Sequence, residues 1–64
     1  MATLSARETQ EQAFHIGSDL AESGLPADEG NAELLELIEQ SILPKEQVIK
    51  TFLEGYRLGV TELY

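Results

Sequence analysis

From Pro44 to Tyr64 the apolar residues recur at the spacing of a helix. At about 100° per residue, Val48, Ile49, Phe52, Leu53, Tyr56, Val60, Leu63 and Tyr64 share one broad face, with Gly55 and Gly59 inside it. Glu46, Lys50, Glu54, Arg57, Thr61 and Glu62 occupy the other side or its edges, and Leu58 falls among them. A face this wide belongs to a helix packed on other helices. The pattern predicts a helix over about 44–63. Pro44 suits its first position because the missing N–H is no loss there. Two glycines one turn apart each cost roughly 1 kcal/mol against alanine in a helix interior. The simplest gain to offset that is close backbone approach by a neighbouring helix; the alternative is that Gly55 or Gly59 ends or kinks the helix.

Upstream, the same spacing predicts two more helices. Ser5-Ala6-Arg7-Glu8 fits a capping box, and a helix over about 6–22 follows. Its apolar face gathers Ala6, Ala13, Phe14, Ile16, Gly17, Leu20 and Ala21, while Arg7, Glu11, His15, Ser18, Asp19 and Glu22 face water. Its first half is polar almost throughout, so only the second half reads as anchored. Residues 1–4 are expected to be disordered. Ser23-Gly24 supplies the stop, with Gly24 suited to a left-handed position just past the helix. A second helix is expected over about 31–42, with Asn31 as its cap and Leu34, Leu35, Leu37, Ile38 and Ile42 on its apolar face. The four-residue join Ser41–Pro44 implies that the second and third helices form an αα corner or hairpin. Nowhere do apolar residues alternate with period two, so no strand is expected.

The fold class predicted is therefore all-α, a single domain of about three helices. The second helix, at about 12 residues, is too short to cover the third, at roughly 30 Å. Apolar surface near Tyr56, Val60, Leu63 and Tyr64 would stay open unless the first helix covers it. That mismatch points to a homodimer or to another protein as partner.

Charge narrows the function classes. The net charge is −8, and between Arg7 and Lys45 there is neither Lys nor Arg against nine acidic residues. The chain lacks the basic footprint of a nucleic-acid binder and the positive surface an anionic membrane attracts. There is no cysteine, hence no disulfide framework, thiolate metal site or thiol nucleophile. The N-terminus has no apolar run of a signal peptide and no segment approaches a membrane span, so a cytoplasmic location is expected.

Candidate chemistry is sparse. His15 stands between Glu11 and Asp19 in a Glu-x₃-His-x₃-Asp ladder, but one histidine without cysteine is a poor transition-metal donor set. Asp28-Glu29-Gly30-Asn31 lacks the oxygen spacing of a calcium loop. No carboxylate pair sits in a catalytic frame and no phosphate loop is present. A chain of this size has little room for a water-excluding pocket beside its core. The sequence is read as non-catalytic, with no metal and no cofactor. Its expected work is protein–protein binding, as adaptor, inhibitor or accessory subunit. The expected interface is Phe52, Gly55, Tyr56, Gly59, Val60, Leu63 and Tyr64. The alternative is an acidic mimic of a nucleic-acid backbone that blocks a DNA- or RNA-binding protein, using Glu22, Asp28, Glu29, Glu33, Glu36 and Glu39.

Overall fold

The computed structural model describes residues 3–63. It is all-helical: α1 spans Ala6–Glu22, α2 spans Ala32–Gln40 and α3 spans Lys45–Leu63. Among the described residues there is no named strand, and no helix is long and apolar enough to cross a membrane.

Three of the helix ends have a local cause. At the start of α1 the Glu8 N–H donates to the Ser5 hydroxyl at 3.2 Å, satisfying one of the orphan donors of the first turn. The capping box closes only halfway. The Glu8 carboxylate accepts from the Ser5 hydroxyl at 3.0 Å, where the motif would have it accept from the Ser5 N–H. Past the other end, Gly24 takes φ +72°, and two bonds wrap the terminus, Leu25 N–H to Leu20 C=O at 2.9 Å and Gly24 N–H to Ala21 C=O at 3.1 Å. That pair is a Schellman closure, and it needs a residue at ease with positive φ.

Asn31 caps α2. Its Oδ1 accepts from the N–H groups of Glu33 at 2.9 Å and of Leu34 at 3.2 Å, and Leu34 is fully buried. The cap therefore fixes the turn that delivers the first core residue of α2. Asn31→Ala is expected to cost about 1 kcal/mol, read as a lower urea midpoint at an unchanged m-value.

α2 ends at Gln40, two residues short of the sequence expectation. Ser41 turns to extended geometry (φ −86°, ψ 145°) and its hydroxyl accepts from the Leu43 N–H at 2.8 Å. The extended stretch pairs with the N-terminus: Leu4 N–H donates to Gln40 C=O at 2.9 Å, and Leu4 and Ser41 form an isolated parallel bridge. Leu4, the last position of the stretch expected to be disordered, is half-buried and packs on the core. Met1 and Ala2 lie outside the described residues.

The bridge sets the topology. Two parallel stretches, one leading into α1 and one into α3, start those helices side by side in the same direction. The α1–α3 contacts rise in step, with Phe14 against Gly55 and Ala21 against Gly59. α2 returns between them, so the order is up, down, up.

The main packing is between α1 and α3, while α2 touches each of them lightly. The hairpin expected from the short Ser41–Pro44 join is thus not the main contact. Small residues explain why. Thr9, Ala13, Gly17 and Ala21 recur every four residues and are all buried. They form a shallow stripe down α1, along which Gly17 meets the Phe52 and Tyr56 backbone and Ala21 meets Gly59. The backbones then approach so closely that a Cβ on Gly17 would fall on the Phe52 carbonyl oxygen and lie 2.7 Å from Tyr56 N. A Cβ on Gly55 would fall on the Phe14 carbonyl and lie 2.8 Å from its Cα. The glycines of α3 are thus neither a kink nor an end. They let α1 in, the same steric logic as small-xxx-small pairs in membrane helices.

The core proper is Ala13, Leu34, Leu37, Val48 and Phe52, drawn from all three helices. Ile16, Leu20, Ala27, Ile38 and Leu43 pack around it. Thr9, on the polar half of α1, is the one buried polar residue among the described residues, and its hydroxyl donates to the Ser5 carbonyl at 2.8 Å. The length argument also resolves within the chain. At 1.5 Å per residue α1 is about 26 Å and α3 about 28 Å, and α1 runs beside α3 as far as the contact of Ala21 with Gly59.

Candidate functional site

Of the seven residues expected at an interface, three are occupied inside the chain. Phe52 is fully buried, and Gly55 and Gly59 lie against α1. Tyr56 and Val60 are half-buried. The Tyr56 hydroxyl donates to the Leu25 carbonyl at 2.7 Å, tying the loop after α1 to the side of α3. Tyr64 and the side chain of Leu63 lie outside the described residues. A partner meeting α3 therefore meets its flanks, not its centre.

Each flank of α3 carries a large exposed apolar residue. Leu58 is exposed on the side where α1 presents Phe14, also exposed. A groove there is lined by Gln10, Glu11, Phe14, Thr51 and Glu54. A separate hollow on the outer side of α3 is lined by Glu54, Arg57, Leu58 and Thr61. Phe14 was expected among the core-facing residues of α1; the glycine contact draws α3 onto the neighbouring stripe and leaves its ring at the edge. Leu53 is exposed on the other flank, the side on which α2 lies.

The second feature is a cleft of about 370 Å³ between α1 and α2. Gln12, His15, Ile16 and Asp19 form one wall, and Glu33, Glu36, Leu37 and Gln40 the other. Ile16 and Leu37 give it an apolar floor beneath a rim of three carboxylates and one imidazole. The six acidic residues named for the alternative, Glu22, Asp28, Glu29, Glu33, Glu36 and Glu39, are all exposed. Only Glu33 and Glu36 belong to the cleft. Asp28 is engaged locally, its Oδ1 accepting from the Gly30 N–H at 2.9 Å as a turn residue.

The Glu11–His15–Asp19 ladder is not assembled as a ligand set. Glu11 pairs with Arg7 at 3.4 Å, one turn the other way, in a fully solvated contact. Such a pair contributes little to stability. Among the described residues no group of three or more His, Asp or Glu side chains is arranged to hold a metal ion.

Neither the cleft nor the Phe14 groove was singled out from sequence. The signal was present for both. Thr9, Ala13, Gly17 and Ala21 mark the stripe that α3 takes, which leaves Phe14 on one side of it and Gln12, His15, Ile16 and Asp19 on the other. No protein-family model matches this chain, and no curated protein and no solved structure matches it either.

Proposed function

We propose that this protein works without catalysis, by binding protein, as an adaptor, inhibitor or accessory subunit in the cytoplasm that also pairs with a second copy of itself. One observation carries the reading. Four large hydrophobic residues are buried among the described residues, Leu34, Leu37, Val48 and Phe52, whereas six are exposed: Phe14, Leu25, Leu35, Ile42, Leu53 and Leu58. Scattered exposed leucines are ordinary, but six large exposed hydrophobics around a core of four buried ones, flanked by half-buried Leu4, Ile16, Leu20, Ile38 and Leu43, support a core completed by association in so small a domain. The docking surface is the two flanks of α3, around Leu53 and Leu58, with Tyr56 and Val60 contributing partial area.

The test is capture by the immobilised chain, with elution in rising salt. A protein retained past about 0.5 M salt by wild type and lost by the double variant Leu53→Ser, Leu58→Ser is expected, since apolar contact is not screened. Both positions are exposed, so the double variant keeps its core.

The acidic mimic is the second reading, favoured by the carboxylates that α1 and α2 hold on the two walls of one cleft. It predicts the opposite salt response. DNA- or RNA-binding proteins would be released between about 50 and 200 mM salt, and Glu33→Gln with Glu36→Gln would weaken capture where the α3 double variant does not.

A further inference from the structure

We infer that the two copies meet through the seam between α2 and α3, with α2 of each lying over α3 of the other. This rests on the pairing proposed above and adds the face. Four of the six exposed large hydrophobics border that seam. On α2, Glu33, Glu36, Leu37 and Gln40 are turned to the α1 cleft. At 100° per residue the opposite flank of the helix then carries Leu35 and half-buried Ile38. Leu35 is 44% exposed, and Ile42, in the join just beyond the helix, is 67% exposed. On α3, Thr51 and Glu54 line the Phe14 groove, which turns Ile49, Leu53 and Tyr56 to the α2 side; Leu53 is 39% exposed. Leu25, 49% exposed, stands beside Tyr56 through the hydroxyl contact to its carbonyl.

Charge decides the occupant. The edge of α2 beyond Leu35 carries Glu39, and α2 has no Lys or Arg. The edge of α3 beyond Leu53 carries Lys50 and Arg57 beside Glu46. None of Glu39, Lys50 and Arg57 takes part in an ion pair among the described residues. A two-fold axis along the seam sets each acidic edge over the other copy's basic edge, twice per dimer, as an isologous contact requires. Two chains of net charge −8 repel at long range, and this is largely screened over about 8 Å at 0.15 M salt.

Sedimentation equilibrium at about 0.15 M salt tests it. Wild type is expected to be dimeric, and Leu53→Asp monomeric. Leu58→Asp, on the opposite flank, leaves the dimer intact. Lys50→Glu and Glu39→Lys, both at exposed positions, are each expected to weaken association about tenfold. The combined reversal restores it to within about threefold. A wild type that stays monomeric at millimolar concentration overturns both the pairing and the face. A dimer broken by Leu58→Asp but not by Leu53→Asp, or one whose charge reversals add without rescue, overturns the face and leaves the pairing standing.

Discussion

Gly17→Ala is expected to lower stability by about 3 kcal/mol, although helix propensity by itself predicts a gain of about 1 kcal/mol from the same change. The sign is decided by what the methyl group would meet. Its Cβ would land on the Phe52 carbonyl oxygen, 2.7 Å from Tyr56 N and 3.1 Å from the Phe52 carbonyl carbon. All three atoms are backbone, so no rotamer change relieves the overlap and α1 must move off α3. That contact is the main one in the fold. Gly55→Ala meets the Phe14 backbone in the same way and is expected to cost a similar amount. For a domain of this length about 3 kcal/mol corresponds to a melting point lower by roughly 12–24 °C, read by circular dichroism. Gly24→Ala is the control. Nothing lies within 4 Å of its Cβ and only the left-handed φ of +72° opposes it, for about 1 kcal/mol. A Gly17→Ala protein melting at or above wild type would mean that the two backbones do not touch there.

How far the sequence discloses this protein differs by level. Helix positions were legible because their ends are local chemistry. Ser5, Gly24 and Asn31 each act on a backbone group within a few residues, and α1 and α3 run where the spacing and caps put them. The end of α2 was misjudged by two residues because the force that stops it is not local: Ser41 pairs with Leu4, 37 positions away. Which helices pack most closely was not legible for a related reason. A short join favours neighbours in sequence, but Thr9, Ala13, Gly17 and Ala21 offer α3 a closer approach than α2 does. Thr9 illustrates the limit. It reads as polar, yet the hydrogen bond to the Ser5 carbonyl removes the cost of burying its hydroxyl. The candidate site was the least legible part. A helical wheel says that Phe52, Gly55 and Gly59 face apolar surroundings, but it does not say whether those belong to α1 of the same chain or to a partner. The structure sets Gly55 and Gly59 against α1 and Phe52 in the core shared by all three helices, and what remains exposed are flank residues, of which the wheel marks only Leu58, by its place among polar neighbours.

Phe52→Ala is expected to cost about 3–5 kcal/mol, comparable to the whole stability of a domain of this length at roughly 0.05–0.15 kcal/mol per residue. The ring is the largest of the fully buried side chains and belongs to the cluster joining Ala13 of α1, Leu34 and Leu37 of α2 and Val48 of α3. α2, lightly held otherwise, loses its seat when the ring goes. The variant is expected to be largely unfolded at 37 °C, with the far-ultraviolet helix signal collapsed and amide exchange unprotected throughout. Persistence of a native-like melt would show that the α1–α3 stripe alone holds the fold. Phe52 also links the two large effects, since its carbonyl is the atom a Cβ on Gly17 would strike while its ring fills the core from the same residue. Widening the α1–α3 gap with Gly17→Ala shifts the backbone that carries the ring, so part of the packing loss is incurred once, not twice. A cycle built from Gly17→Ala and the milder Phe52→Leu is therefore expected to fall short of additivity by at least about 0.5 kcal/mol in urea unfolding. Strict additivity would mean that backbone approach and ring packing act as separate supports, and that α1 can move off α3 without disturbing the core.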